Sequence, residues 1–280
     1  MKQTHEEYRK RGLNPCRLAG LIGGLLLATV ASAHDFWLEA RPFYTPVGQP
    51  VDVSVHVGSD FVGDSLPNIR NWYDDFAIYL PGSKRPMPGK LGDDPAGRFV
   101  PERSGTWLVG YQSTFSFADI DPETFRQYLI DEGLDNALAW RREQGLEQTR
   151  GLERYVRHAK TLVQAGEGDE VDASTLAIGY ELEIVPESNP YRLTVGDELG
   201  LRLLYRGEPA PNLLLIAFNK QDAERKQKLR SDADGRARIR LDRAGPWMLK
   251  AVKIIPYQSD SVDPKARWQS HWANLTFELR

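Results

Sequence analysis

Two stretches of the chain repeat the same succession of turns and alternating strands, and this repeat restricts the fold more than any other feature. Residues 46–111 and 194–251 each begin at a Val-Gly turn and continue with apolar residues at every second position. Each then has a Gly-Arg turn and a last strand that opens on Gly-x-Trp, with Trp107 in the first copy and Trp247 in the second. Apolar residues with a period of two are typical of half-buried antiparallel strands. The repeat therefore predicts a mainly β protein with two tandem β-sandwiches, immunoglobulin-like or transthyretin-like in outline.

The segment between the two copies has a different period and predicts a helical insertion. Asp121 and Pro122 have the residue types of an N-cap and a first helical position, and Gly133 can end the helix that follows. Apolar residues at helical spacing predict a further helix over residues 152–163, and the polar residues 166–172 are typical of a linker. The predicted organisation is an N-terminal sandwich at residues 34–118, a helical insertion and linker at 119–170, and a C-terminal sandwich at 171–280.

Residues 1–33 have the order of a secretory signal peptide. Basic residues precede an apolar run from Leu18 to Val30, and Ala31-Ser32-Ala33 places alanine at both positions that a signal peptidase reads. The apolar run is shorter than the roughly 20 residues that a membrane span needs. The single cysteine, Cys16, precedes the run, so the mature chain cannot form a disulfide or a thiolate metal site. We expect a periplasmic protein that begins at His34 and has no membrane span in its mature form.

Charge and motifs narrow the class of function. After removal of the signal peptide, 31 Lys and Arg face 37 Asp and Glu, which argues against a nucleic-acid partner. The sequence has no nucleophile elbow, P-loop, His-Glu-x-x-His motif or dinucleotide-binding glycine pattern. We therefore expect a protein that is not an enzyme. The sharpest enzymatic alternative is an oxidative enzyme with a copper brace, which needs a second histidine facing His34.

The histidines of the mature chain are the candidate metal ligands. A chain that begins at His34 offers an α-amine and an imidazole Nδ1 together, and this pair can chelate Ni²⁺, Co²⁺ or Cu²⁺. His56 lies on the face of its strand opposite the valines, and His271 lies in the last predicted strand. His158 is expected to pack within a helix. The predicted ligands are therefore His34, His56 and His271, and the predicted cofactor is a nickel, cobalt or copper ion.

Several stretches of the mature chain together resemble a known family. They are residues 34–39 (His-Asp-Phe-Trp-Leu-Glu), residues 57–64, Gly105-Thr106-Trp107 with Gly110-Tyr111, Tyr155 with Ala159-Lys160, and residues 272–278. With them the sequence resembles an uncharacterised bacterial periplasmic family, a domain of unknown function whose members are labelled as periplasmic components of nickel uptake or cobalt transport. The resemblance implies a role in metal uptake, with metal-transporter components or other envelope proteins as partners. His34 is the one residue to which it assigns a role.

These observations lead to two hypotheses of different classes. The first is a periplasmic metal-binding or metal-delivery protein associated with nickel or cobalt uptake, with His34 as its candidate ligand. The alternative is a non-catalytic interaction module in which the two sandwiches bind a protein or a glycan, and His34 is only the residue that follows the cleavage site.

Overall fold

A computed structural model describes residues 35–258 and 265–280 of the chain, and this part is mainly β, as predicted. The predicted signal peptide and His34 lie outside the described residues. Within the described ranges, no helix has both the length and the apolar character needed to cross a membrane.

The strands and helices follow the chain in three groups. The N-terminal copy of the repeat contains β1 (Asp35–Arg41), β2 (Tyr44–Thr45), β3 (Val51–Ser59), β4 (Val62–Leu66), β5 (Tyr73–Leu80), β6 (Ser83–Pro86), β7 (Gly97–Phe99) and β8 (Gly105–Ser113). The middle contains β9 (Ser116–Ile120), α1 (Pro122–Asp131), α2 (Asp135–Glu143), β10 (Gly151–Ala165) and β11 (Val171–Asp172). The C-terminal copy contains β12 (Leu182–Pro186), β13 (Glu198–Tyr205), β14 (Glu208–Pro209), β15 (Leu214–Asn219), β16 (Asp222–Arg230), β17 (Arg236–Arg240), β18 (Gly245–Pro256) and β19 (Trp268–Leu279). Short 3₁₀ helices lie at Arg70–Trp72 and Pro190–Arg192.

The two copies of the repeat fold alike. In the first copy β3 pairs with β1, β4 and β7, and in the second β13 pairs with β12, β14 and β17. The indole Nε1 of Trp107 donates to the carbonyl of Arg103 at 3.1 Å, and that of Trp247 donates to the carbonyl of Arg243 at 3.0 Å. In each copy the indole thus closes a turn by bonding to the carbonyl of the residue four positions earlier. Because the strand pairing also matches, the two sandwiches predicted from the repeat are confirmed.

The two sandwiches are joined through one shared sheet. The last strand of each half, β10 and β19, pair in parallel and fuse the larger sheets into one, in the order β16-β15-β18-β19-β10-β8-β5-β6. The small sheet of each half covers a different face of this large sheet. Thr276 Oγ1 donates to the carbonyl of Leu38 on β1 at 2.6 Å, whereas Lys160 Nζ on the opposite face reaches Glu183 on β12 at 2.9 Å. The two small sheets lie on opposite faces because β10 and β19 are parallel. A twofold rotation that relates two halves and keeps their neighbouring strands parallel exchanges the two faces of the sheet.

The helix predicted over residues 152–163 is wrong, because this segment is the central strand β10. It pairs with β8 and β9 on one side and with β19 on the other, and both of its faces are covered. A strand buried on both faces carries apolar residues at odd and even positions, so helical spacing can arise in it without a helix. The helical part of the insertion is therefore limited to α1 and α2.

The predicted start of α1 is confirmed. The carboxylate of Asp121 accepts a hydrogen bond from the backbone N–H of Thr124 at 3.0 Å, and Pro122 occupies the first helical position. The aromatic side chains of the helix pack on the large sheet, where Tyr128 lies parallel to Trp272 with ring centroids 5.4 Å apart. The helices thus cover one face of the C-terminal half.

A tight hairpin between β3 and β4 explains the two glycines of residues 58–63, which read Gly-Ser-Asp-Phe-Val-Gly. Gly58 and Gly63 face each other across β3 and β4, and a Cβ on either would come within 2.1 Å of a carbonyl oxygen on the opposite strand. Asp60 and Phe61 form the turn with φ of 57° and 64°, a conformation that bulky residues seldom adopt. Phe61 is nevertheless buried, with its ring edge against Trp37 at 5.8 Å. Aromatic packing therefore holds the turn.

A buried carboxyl group links α1 to the large sheet and leads to a first prediction. Glu153 is 2% exposed and accepts hydrogen bonds from the hydroxyls of Tyr128 and Ser270. Burial raises the pKa of Glu153 to about 7. A raised carboxyl pKa gives stability that is fully present below the unfolded-state value of about 4.5 and is lost as pH rises through 7. Glu153→Gln should therefore unfold at higher urea than the unaltered protein at pH 8, with a gain of about 2–3 kcal/mol, and at nearly equal urea at pH 4.

The matched control for this prediction is Glu143→Gln, which changes an exposed carboxylate on α2. Its stability should follow the unaltered protein at both pH values. Equal or lower stability of Glu153→Gln at pH 8 would show that the buried group is a charged, stabilising partner, contrary to this prediction.

Candidate functional site

The predicted metal ligands are not brought together among the described residues. His34 lies outside them, His56 lies on β3 in the small N-terminal sheet, and His271 lies on β19 in the large sheet. Within residues 35–258 and 265–280, no group of three or more His, Cys, Asp or Glu has an arrangement that could hold a metal ion. Any site built from these residues therefore supplies only part of a coordination shell.

His56 has an isolated environment. Its ring lies nearly parallel to the indole of Trp37 with centroids 5.0 Å apart, and among the described residues neither ring nitrogen has a hydrogen-bond partner. The closest carboxylate, Glu39, is 3.8 Å away and is already bound by Lys220 at 2.8 Å. Burial lowers the pKa of His56. This histidine packs between the two halves and gathers no second metal ligand.

His271 instead acquires a partner that the sequence analysis missed. His158 on β10 lies two residues beyond Val156, the register partner of His271, so both histidines share one face, and Nε2 of His158 is 3.4 Å from Nδ1 of His271. Both side chains are buried, at 2% and 0% exposure. His158 was expected to pack within a helix, and that assignment is wrong because β10 is a strand. The β-branched residues at its end, Thr161 and Val163, were the available signal for a strand.

The two imidazoles meet edge to edge in one plane. Their planes differ by 5° and their centroids are 5.7 Å apart, which equals the nitrogen separation plus the two ring radii. The facing nitrogens therefore point at each other, as in a long N–H···N hydrogen bond. A metal bound by both nitrogens at about 2.1 Å would require the rings to turn toward a common point.

The orientation of the Gln269 amide decides the tautomer of the pair. Its Nε2 is placed 2.8 Å from Nε2 of His271, and with the amide as donor the ring proton of His271 is assigned to Nδ1, facing His158. His158 then accepts at Nε2, and its Nδ1 is buried with no hydrogen-bond partner in the described part of the chain. The carboxylate of Glu181 lies 3.2 Å from Nδ1 of His271 and is 38% exposed, so it links the buried pair to solvent.

Both histidines are uncharged near neutral pH. Burial is the largest cause for each, and it lowers the pKa of His158 to about 3 and that of His271 to about 4. Neutral imidazole is the form that binds metals, because a proton and a metal compete for the same lone pair. Near neutral pH each imidazole therefore carries one ring hydrogen and keeps one lone pair.

Comparison with known protein families identifies the family to which the chain belongs. A family model described as a domain of unknown function (DUF4198) matches residues 31–254. The chain belongs to this family. No curated protein matches it.

Solved structures add only distant similarity. The D0-D1 domain of intimin is 12% identical and covers 87% of this chain and 97% of its own, with a TM-score of 0.19. The FN1-FN3 domains of chicken CNTN1 are 7% identical and cover 88% of this chain and 64% of their own, with a TM-score of 0.21. At these TM-scores the similarity carries no conclusion about this chain.

Proposed function

We propose that this DUF4198 protein is a non-catalytic metal-binding or metal-delivery protein of the periplasm, associated with nickel or cobalt uptake. The observation that carries the proposal is the buried, uncharged pair of His158 and His271, whose nitrogens lie 3.4 Å apart. Export through a signal peptide and the resemblance of the sequence to periplasmic uptake components support the compartment and the metal class.

The chemistry of the pair suits borderline divalent ions. Imidazole nitrogens favour nickel, copper, cobalt and zinc over magnesium and calcium. Glu181 can supply an oxygen from the solvent side, since its carboxylate already contacts His271 at 3.2 Å. A site with few protein ligands leaves coordination positions open to a partner, which suits a protein that passes its metal on.

Metal binding at the pair would require a change of tautomer. A metal that binds Nδ1 of His271 needs the lone pair of that nitrogen, so the ring hydrogen would move to Nε2, where the side-chain amide of Gln269, 2.8 Å away, would accept it through its oxygen. His34 at the mature terminus remains a separate candidate ligand. The two locations make different predictions for substitutions.

The test is equilibrium dialysis of the mature protein against Ni²⁺ at pH 7.5, with the bound metal quantified. We expect one nickel per chain, and affinity at least about tenfold weaker in His158→Gln and in His271→Gln. His56→Gln is the control, since it alters a half-buried histidine stacked on Trp37 instead of on another imidazole, and it should bind as the unaltered protein does. A form with one alanine added before His34 should also bind normally.

Three results would contradict the proposal. Normal binding by both pair variants would move the site elsewhere, and loss of binding in the extended form would move it to His34. No binding by the folded, unaltered protein would exclude a metal-binding function.

A further inference from the structure

We propose that the protein forms a symmetric dimer in which the β9 strands of two copies pair antiparallel along their outer edges. Such a dimer does not depend on metal binding, and it uses a part of the surface away from the histidine pair.

The outer edge of β9 is open among the described residues. β9 pairs with β10 on one side only. On the other side β5 shields β8 as far as Ser113, which pairs with Tyr73, and no described strand continues beyond that point beside β9. No backbone hydrogen bond joins residues 116–119 to any described element except β10, and the guanidinium of Arg150 covers one carbonyl, that of Asp119, at 3.1 Å. An edge of this kind offers N–H and C=O groups to another strand.

This edge also lacks the charges that keep edge strands apart. β16, which forms one end of the same sheet, carries six charged residues among its nine. Charged side chains of this kind hinder pairing with another chain. β9 carries a single charge, on Asp119, and that carboxylate already pairs with Arg150. The chain therefore protects one edge of the sheet and leaves β9 able to pair.

The exposed aromatic side chains of the described residues border this edge. Among Trp, Tyr and Phe, three are exposed, namely Trp72 at 47%, Phe115 at 40% and Phe117 at 41%. Phe117 lies on β9, and Phe115 directly precedes the strand. The carbonyl of Trp72 accepts a hydrogen bond from the backbone N–H of Thr114 at 3.0 Å, so it lies at the same end. Exposed aromatic residues gathered at one place are typical of interfaces.

The charges along the edge favour a second copy of the chain as the occupant. The start of β9 is flanked by two basic residues and one acidic residue, Arg70, Arg154 and Asp74. Its end is flanked by three acidic residues and two basic ones, Asp119, Asp121, Glu123, Arg126 and Arg150. In an antiparallel pair of identical edges, the start of each strand meets the end of the other. The net positive end then faces the net negative end on both sides of the twofold axis.

The same pairing covers the exposed rings. When it is centred on Ala118, Phe117 lies opposite Asp119 of the second copy, and the two Phe117 side chains become diagonal neighbours on one face of the sheet. Diagonal positions are about 7–8 Å apart, which is within reach of aromatic side chains. The contact therefore buries apolar surface in addition to joining backbone groups.

The experiment is analytical ultracentrifugation of the mature protein over a series of concentrations. We expect a reversible monomer–dimer equilibrium. Phe117→Asp should weaken dimerisation by about tenfold or more, because it removes a ring and places a second carboxylate beside Asp119 of the other copy. Val62→Asp is the matched control at an exposed apolar residue of another edge strand, β4, and it should dimerise as the unaltered protein does.

A disulfide tests the register of the pair. The mature chain has no cysteine, so Ala118→Cys introduces a single thiol at the centre of β9. Central residues of an antiparallel pair have Cα atoms about 4.5–5.5 Å apart, which is within the range of a disulfide. We expect a covalent dimer of Ala118→Cys under mild oxidation, and far less of it in the control Glu224→Cys on β16.

Three results would overturn the dimer. They are a monomer at every concentration, dimerisation of Phe117→Asp equal to that of the unaltered protein, and a covalent dimer that is no more abundant in Ala118→Cys than in Glu224→Cys. None of these measurements involves nickel, so a failure of the dimer is distinct from a failure of the proposed function.

Discussion

Lys250→Met is expected to lower the free energy of unfolding by about 3–5 kcal/mol, because it leaves two buried carboxylates without their positively charged partner. Lys250 Nζ lies 2.7 Å from the carboxylate of Asp35 and 2.9 Å from that of Glu132, and all three side chains are buried. The two acids raise the pKa of Lys250, whereas burial raises that of Glu132. The lysine therefore remains charged. Its ammonium, on β18, offsets the negative charge of Asp35 on β1 and of Glu132, the residue that follows α1.

Urea denaturation at pH 7 measures this effect. The triple variant with Asp35→Asn, Glu132→Gln and Lys250→Met removes all three charges and should recover most of the loss, since uncharged groups of similar size pack at the same place. Lys90→Met, at an exposed loop lysine, should leave the stability unchanged. If Lys250→Met lowers the free energy of unfolding by less than about 1 kcal/mol, the two carboxylates become hydrated or protonated at little cost, contrary to this prediction.

The second large effect is the acid sensitivity of the metal-free protein. The pKa of His158 is lowered to about 3 and that of His271 to about 4, against 6.5 in an unfolded chain. A lowered pKa means that the unfolded chain binds these protons first, so stability is complete above pH 6.5 and is lost as pH falls toward 4. The loss from the two histidines together should reach about 6 kcal/mol at pH 4.

Glu153 acts in the opposite direction between pH 4.5 and 7, so the histidine effect is measured by difference. The variant with His158→Gln and His271→Gln should lose less stability than the unaltered protein between pH 7 and pH 4. His56→Gln is the control, because it removes a different, half-buried histidine while leaving the pair in place. If the double variant and the unaltered protein lose stability in parallel, the pKa values of the two histidines are not lowered in the folded state.

The fold was predictable wherever one period dominated a segment. The two copies of the repeat, with Trp107 and Trp247 in matching positions, indicated both sandwiches, and Asp121-Pro122 indicated the start of α1. β10 was not predictable in this way, because cover on both faces removes the alternation that marks a strand. Its parallel pairing with β19 joins segments more than 100 residues apart and leaves no local signal.

The candidate site could not be predicted from the sequence for the same reason. His271 was predicted as a ligand, but its neighbour His158 depends on the register of β10 against β19, which a single sequence does not encode in any spacing. Cross-strand neighbours of this kind follow from tertiary packing and not from motif spacing.

X-ray absorption at the nickel edge tests the central claim most directly, because it counts the imidazoles bound to the metal. For the mature protein with one alanine added before His34, we predict a nickel spectrum with two imidazole ligands, and their loss in the variant with His158→Gln and His271→Gln. A spectrum without imidazole in the extended protein, or an unchanged spectrum in the double variant, would contradict the assignment of the metal to the pair of His158 and His271.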